Sequence, residues 1–325
     1  MSNLRHSLGV VLCTYNGARY LRAQLESIAA QTRRPDVLLV FDDGSRDATI
    51  GQLEEFAAVA PFPIRIARNS KNLGYLRNFE QATSNCESDI IVLSDQDDWW
   101  RPDKLEQIEA VLARDARAGA VFSDADIVDE NLDSLGYRLL DALRVNDEER
   151  AFVRSGRVFP VLMRRNIVCG ATFAIRANWR DRVLPIPDGI VLHDEWIALV
   201  LAAHNGIRFI PDPLIRYRQH AANQIGLRRL YWREQFRSLL RSRRSETERL
   251  LKLMRSLHER LSTTGAPADA LHEVEEKLVH VQRRLSMRGG RLMRVPTVTR
   301  ELIRGRYSRY ASGWRSALRD LVAPM

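Results

Sequence analysis

Cysteine is scarce in this chain: among 325 residues only Cys13, Cys86 and Cys169 occur. They are odd in number, far apart and without metal-ligand spacing. That excludes a disulfide framework and points to buried thiols in a reducing compartment. Long hydrophobic runs are missing too. No uninterrupted apolar stretch approaches the roughly 20 residues that span a bilayer. The nearest, 190–203, is broken by His193, Asp194 and Glu195. Met1-Ser2-Asn3-Leu4-Arg5-His6 leads straight into an expected strand and lacks the apolar core of a signal peptide. These absences give the expectation of a cytoplasmic protein. There is also no repeat of fixed period and no low-complexity tract.

The remaining composition is that of a globular protein, with 45% apolar and 28% charged residues. The length suits one large domain with an appendage. Charge shows where they divide. Residues 228–325 hold 23 Lys and Arg against 10 Asp and Glu, whereas the rest of the chain holds 27 against 31. A mildly acidic body of residues 1–226 is therefore expected to carry a basic helical region, 227–325.

Within the body, short apolar runs alternate with helical periodicity. Strands are expected at 8–14, 37–41, 64–67, 90–94 and 120–123, and helices ending near Gln31, Ala57, Thr83 and Leu112 lie between them. This alternation predicts an α/β fold with a mostly parallel, doubly wound sheet. Residues 124–165 read as a polar excursion with local helix, and 167–175 as a strand interrupted at Gly170 by a bulge or a close backbone approach. After residue 226, leucines at near-helical spacing, with a break at 263–267, predict a helical hairpin followed by an amphipathic tail over 304–321.

The most informative stretch is Ile90-Ile91-Val92-Leu93-Ser94-Asp95-Gln96-Asp97-Asp98-Trp99-Trp100. A buried strand ends in three carboxylates, at the sheet edge where open α/β folds bind ligands. Close carboxylates repel one another and persist together most readily around a hard cation such as Mg²⁺ or Mn²⁺. Two further acidic clusters follow expected elements, Asp42-Asp43 and Asp194-Glu195. Helix capping accounts for each alone but poorly for all three together.

With these motifs in place the sequence closely resembles the family 2 inverting glycosyltransferases of GT-A fold. The matching segments are Val10-Val11-Leu12-Cys13-Thr14-Tyr15-Asn16, Val40-Phe41-Asp42-Asp43-Gly44-Ser45, and 69–78 with Asn72, Gly74 and Asn78. The Asp95–Trp100 loop with Pro102 and Lys104, His193-Asp194-Glu195-Trp196, and Tyr217-Arg218-Gln219-His220 with Asn223 and Gly226 complete the set. The match covers roughly 7–226, and its Asp-Gln-Asp-Asp-Trp and Tyr-Arg-Gln-His forms look most like the rhamnosyltransferase branch.

The resemblance implies a nucleotide-sugar donor and a divalent ion. Tyr15 and Asp43 would hold the nucleobase, supported by Thr14 and Asp42, while Asn72, Gly74, Asn78 and Gln96 would complete the donor site and Arg218 would contact phosphate. Asp97, Asp95 and His220 are the candidate metal ligands. Asp194 is the candidate base that deprotonates an acceptor hydroxyl, with Glu195 as its rival. Gly170, Thr172, His193, Trp196 and one of Trp99 and Trp100 would meet the acceptor. The reaction implied is transfer of a sugar, from dTDP-L-rhamnose, to a hydroxyl of a growing surface polysaccharide or lipid-linked glycan. A UDP-hexose or UDP-N-acetylhexosamine donor is the alternative. A nucleotidyltransferase would need a basic Gly-rich loop where Thr14-Tyr15-Asn16-Gly17 stands, and an inactive scaffold would not need intact acidic motifs. Tyr231-Trp232, Tyr307, Tyr310 and Trp314 among arginines suggest peripheral docking at the inner face of a membrane. Nucleic acid is not expected as a partner, because the body is acidic and no nucleic-acid motif is present.

Overall fold

A computed structural model describes residues 6–220, 244–287 and 290–322. The motif positions Asn223 and Gly226, the expected domain boundary at 226 and the aromatic pair Tyr231-Trp232 lie outside the described residues.

Strand β1 (Leu8–Thr14) is buried along its whole length, as a central parallel strand covered on both faces must be. It pairs in parallel with β2 (Val37–Asp42) and β4 (Ile90–Ser94), and β2 pairs in parallel with β3 (Ile64–Arg68). Helices α1 (Ala18–Ala29), α2 (Thr49–Ala57) and α3 (Tyr75–Ser84) make the crossovers. The register sets Thr14 beside Asp42 and Leu12 beside Ser94. Three carboxyl-terminal strand ends are thereby stacked on one sheet edge.

Beyond β4 the sheet is mixed. A two-residue strand β5 (Trp99–Trp100) and helix α4 (Lys104–Arg114) are followed by β6 (Ala120–Val128), β7 (Ser134–Arg138), β8 (Phe173–Arg176) and β9 (Ile207–Arg218). The order is β3-β2-β1-β4-β8-β6-β9-β5, with β7 on β6. β8 runs antiparallel to both β4 and β6, whereas β6 and β9 are parallel. The expected mostly parallel sheet thus holds over the first four strands and again at β6–β9, with antiparallel pairings at β8, β7 and β5. Two expectations are corrected. Residues 124–128 extend β6 rather than opening the polar excursion, because Ala125, Ile127 and Val128 are buried. Residues 170–172 form a 3₁₀ turn ahead of β8, not a bulged strand.

Apolar side chains pack on both sheet faces. One side takes Leu21, Leu25 and Ile28 of α1 and Leu105, Ile108 and Leu112 of α4. The other takes helix α5 (His193–Ala203), in which nine of eleven residues are buried. Against α5 packs α6 (Arg244–Thr263), whose Leu253, Met254, Leu257 and Leu261 join the same core. α7 (Ala268–Ser286) returns along α6 as a hairpin. α8 (Arg291–Ile303), a short turn of helix at Arg306–Tyr310 and α9 (Trp314–Val322) close the chain around Val298, Tyr307 and Ala317. Tyr307 and Tyr310 are 0% and 2% exposed, so they are core residues of this end and not interfacial aromatics; Trp314 is 66% exposed. Among the described residues, no helix is long and apolar enough to cross a membrane.

Candidate active site

The stacked strand ends, the loop after β4, the start of α3, the 170–172 turn and the start of α5 surround a cleft of about 630 Å³. Its floor is the end of β1. Thr14 donates from Oγ1 to Asp42 Oδ2 at 2.9 Å, and Asp42 also accepts from Ser45 N and Oγ. Asp42 is fully buried behind the cleft and braces Thr14 and the turn after β2. Asp43 does line it. Its carboxylate accepts from Asn69 Nδ2 at 2.9 Å, Leu73 N at 2.8 Å and Gly74 N at 2.9 Å. Gly74 adopts φ +82°, a left-handed conformation that glycine reaches without strain, and this points its N–H at Asp43. Asn78 Nδ2 donates to Phe41 O and its Oδ1 accepts from Asn69, so α3 is pinned to the strand ends. Tyr15 stands exposed at the rim, its backbone clamped by Gln96, whose Oε1 accepts from Tyr15 N and whose Nε2 donates to Tyr15 O. A Cβ at Gly17 would lie 2.1 Å from Gln96 Oε1, so the turn must come that close to the acidic loop.

The acidic loop supplies the charge. Burial, with Asp97 and Asp194 nearby, pushes the Asp95 carboxyl up to about 7. Burial also raises Asp98 well above its ordinary value. Asp98 Oδ1 accepts from Arg218 N at 3.0 Å, while its buried Oδ2 has no partner among the described residues. Asp97 Oδ2 lies 2.8 Å from His220 Nε2, and Arg218 Nε donates to Asp97 O at 2.7 Å. The Arg218 guanidinium therefore holds the loop from behind and also lies 4.7 Å from the Tyr20 ring; it is not part of the cleft lining. A second buried basic group nearby is Lys104, with Nζ donating to Ala171 O at 2.8 Å and lying 3.6 Å from the Trp100 ring. Burial pulls the lysine down to about 7, even though Asp98 and Asp95 favour its charged form.

On the opposite wall Asp194 occupies the first turn of α5. Its Oδ2 accepts from Gly170 N at 3.1 Å and its Oδ1 from Glu195 N at 2.6 Å. Burial outweighs these bonds and pushes its carboxyl up to about 7. A carboxylate of that pKa is a far better proton acceptor near neutrality than an ordinary one. His193 stacks on Phe79 at 4.3 Å, and burial lowers its pKa to about 4, so the ring is neutral. Neither ring nitrogen has a partner among the described residues.

Several expected residues lie elsewhere. A helix turns about 100° per residue, so the two residues after Asp194 leave the cleft. Glu195 Oε2 pairs with Arg249 Nη1 of α6 at 3.2 Å, and Trp196 is buried with Nε1 donating to Val183 O at 2.7 Å. Thr172 is buried behind Gly170 with Oγ1 donating to Cys169 O. Trp99 pairs through β5 with β9 under the Arg216 guanidinium, and Trp100 is core. Among the described residues no group of three or more His, Cys, Asp and Glu is placed to hold a metal alone. In the other direction, Tyr20 lines the cleft unforeseen, its buried hydroxyl without a partner among the described residues and its ring 4.6 Å from His220. Its position in the first turn after the Tyr15-Asn16-Gly17 loop was the available signal.

A GT-A type sheet with a nucleotide-sized cleft and acids at its strand ends is the class the structure defines. Residues 9–186 match the model of glycosyl transferase family 2, and the chain belongs to that family. An uncharacterised glycosyltransferase of Nostoc is 27% identical over 225 residues, 66% of either chain. The dTDP-rhamnosyl transferase RfbG of Shigella flexneri is 26% identical over 228 residues, 66% of this chain and 73% of that protein. An uncharacterised protein of Mycobacterium tuberculosis is matched over 59% of its length, so the first of these relatives are spanned for under two thirds of their length. Among solved structures, S. aureus TarS 1–349 in complex with UDP-GlcNAc superposes with a TM-score of 0.57 at 15% identity, covering 93% of this chain and 81% of that one. The mannosyltransferase PcManGT of Pyrobaculum calidifontis, with GDP-Man and Mn²⁺, gives 0.52 at 18% identity, covering 97% and 79%. At such identities these likenesses establish the fold.

Proposed function

We propose that the chain is a metal-dependent inverting glycosyltransferase that moves a sugar from a nucleotide donor to a hydroxyl of a polysaccharide or lipid-linked glycan. The observation that carries this is the facing of carboxyl groups across one cleft: Asp95 beside Asp97 on one wall and Asp194 on the other. On this reading Tyr15 and Asp43 take the nucleobase, with Asn72, Gly74 and Asn78 shaping that end and Arg218 stiffening the acidic loop. Asp194 removes the acceptor proton as its oxygen attacks the anomeric carbon, and the bond to the nucleoside diphosphate breaks on the opposite face. His193 and Tyr20, with unpaired polar atoms at the cleft, suit sugar hydroxyls.

The donor set fits a divalent cation. Asp97, Asp95 and His220 would hold it, next to an Asp98 Oδ2 that has no partner among the described residues. Few protein ligands suffice when phosphate oxygens and water complete the shell. Bound there, Mg²⁺ or Mn²⁺ would neutralise charge developing on the diphosphate.

For the donor, a UDP-hexose or UDP-N-acetylhexosamine is the better-supported reading. TarS structures contain UDP and UDP-GlcNAc, and GalNAc-T7, with a TM-score of 0.50, was solved with UDP, GalNAc and Mn²⁺. dTDP-L-rhamnose has the support of RfbG and stands second. Attachment at the cytoplasmic face of a membrane, through the basic region 227–325, belongs to the same reading. The test is donor binding and slow hydrolysis across a nucleotide-sugar panel with Mg²⁺, Mn²⁺ or EDTA. Metal-dependent turnover of a UDP-sugar is expected. Turnover of dTDP-L-rhamnose alone restores that donor, and no metal-dependent binding to any donor overturns the proposal.

A further inference from the structure

Helix α8 packs through Arg294, Val298 and Glu301, which are buried. Its opposite face is open and mostly apolar. Leu292, Pro296, Thr299 and Ile303 recur at spacings of four, three and four, which places them on one stripe. Leu292 is 86% and Ile303 81% exposed, with Met293 at 74% beside them. Exposed large apolar side chains scattered singly are normal. A stripe of them along a helix roughly 20 Å long marks a contact surface. On the neighbouring helix α9, Trp314 and Leu318, one turn apart, are also exposed.

Within residues 290–322 the exposed charge is of one sign, and an exposed acid of α6, Glu246, lies 3.8 Å from Arg319 of α9. Residues 290–322 contain two acids, Glu301 and Asp320. Both are buried and consumed inside the bundle: Glu301 by His280, Arg283 and Arg306, Asp320 by Arg284 and the Tyr307 hydroxyl. Arg300, Arg304 and Arg315 are exposed and make no ion pair among the described residues, so the visible charge of the segment is cationic. We infer that the exposed face of α8, with Trp314 and Leu318, docks on an anionic lipid surface. The apolar stripe enters the headgroup boundary while the arginines meet lipid phosphates. A second copy of the chain is disfavoured, because it would set these unopposed arginines against their own counterparts. This deepens the membrane-facing part of the proposed function by naming its surface. It would bring the cleft to a lipid-linked acceptor rather than leave the encounter to diffusion.

The test is flotation of the full chain with vesicles of phosphatidylcholine, alone or with about one third phosphatidylglycerol. Leu292→Ser/Ile303→Ser and Arg300→Gln/Arg304→Gln are compared with the parent; all four side chains are exposed, and solution binding of a nucleotide sugar checks that the cleft is intact. Expected is flotation with the anionic vesicles, weakened at least about tenfold by the paired serine changes and on the order of fivefold per arginine. Equal flotation on neutral vesicles, or serine variants that float like the parent, overturns the inference. The same holds if the serine changes instead abolish a dimer seen by sedimentation, which makes the face an interface between copies. Loss through arginine alone, with the serines silent, points to a generic polyanion and overturns it as well. No donor or acceptor is present, so a failed transferase reading leaves flotation unchanged, and a failed docking reading leaves donor binding intact.

Discussion

In the C-terminal helices Glu301 has no exposed surface and lies 2.8 Å from His280, 2.5 Å from Arg283 and 3.3 Å from Arg306. In the cleft Asp95, Asp97 and Asp98 stand within four residues of one another, and two buried basic groups nearby, Lys104 and Arg218, donate from their side chains to the carbonyls of Ala171 and Asp97 rather than to a carboxylate. Both regions take carboxylates away from water, with opposite electrostatic results. Burial alone would raise Glu301, yet bonds from His280 and Arg283 hold it below its ordinary value. Burial raises Asp95 and Asp194 to about 7, and neither the Lys104 charge near Asp95 nor the backbone N–H bonds to Asp194 offset it. Completed charge networks hold helices together. Carboxylates left under-compensated in a cleft await a substrate, an ion or a proton.

The contrast breaks most severely at Asp194. Asp194→Asn keeps the shape and removes the base, so transfer is expected to fall by about 10²–10⁴ while donor binding survives. Loss of binding in the same proportion would make the residue a donor contact. The pH dependence follows with its sign. Because the folded pKa of Asp194 is raised from 3.8 to about 7, the transfer rate rises with pH through about 7 as the base ionises. For stability the same shift favours the fold at low pH, and the contribution is lost as pH rises from 4 towards 7 and beyond. Glu301 runs the other way, its contribution being lost as pH falls below the ordinary glutamate range. Asp194→Asn therefore flattens the neutral limb of a denaturation-versus-pH curve and leaves the acid limb in place.

At Glu301 the expected loss is in folding. Glu301→Ala takes the partner from the buried His280 and the half-exposed Arg283 and one of two carboxylates from Arg306, which keeps Glu276, at a cost of about 3 kcal/mol, the low end for a broken buried pair. Urea denaturation measures it, with donor binding in the cleft unchanged below the transition. A neutral result would mean that the network is as dispensable as surface ion pairs are.

Gly170→Ala is expected to act through position alone. A Cβ there would lie 2.7 Å from His193 Nε2 and 3.9 Å from Asp194 Cβ. The 170–172 turn or the start of α5 must shift, and the Gly170 N–H that orients Asp194 shifts with it. A displacement of the base by about 1 Å is worth up to 10² in rate, seen as a lower kcat at unchanged donor affinity.

What the sequence shows of these two regions differs for physical reasons. Strands β1, β2 and β4 are legible because central parallel strands are apolar throughout and end in polar turns, and their acidic ends fall on one edge once the sheet is parallel. The mixed half is less so. β6 runs through Asp124 and Asp126, whose charges masked the continuation of the strand, and a 3₁₀ turn at 170–172 has no periodicity to read. Which side chains face the cleft was legible at Asp194 and Asp97 but not at Trp196 or Trp99, because spacing within a motif does not tell a helix's outer face from its inner one. The C-terminal arginines read as a basic helical region suited to a membrane face. Their pairing with Glu273, Glu276, Glu301 and Asp320 depends on helix packing that no local pattern records.

The smallest expected effect sharpens the contrast most finely, because Glu195 lies next to Asp194 in the chain and belongs to the other class of carboxylate. One residue along α5 rotates it by about 100°, out of the cleft and onto Arg249 of α6, with Lys277 of α7 adding its field. Glu195→Gln removes one partner of a pair in which Arg249 keeps 38% of its side chain exposed, so a loss of no more than about 1 kcal/mol is expected. The transfer rate should stay within about threefold, since neither the proton path nor the Asp194 hydrogen bonds include the Glu195 carboxylate. A fall comparable with that of Asp194→Asn would reverse the assignment and make Glu195 the base. It would also mean that the start of α5 turns when an acceptor binds, since here the Glu195 carboxylate pairs with Arg249 and is not part of the cleft lining.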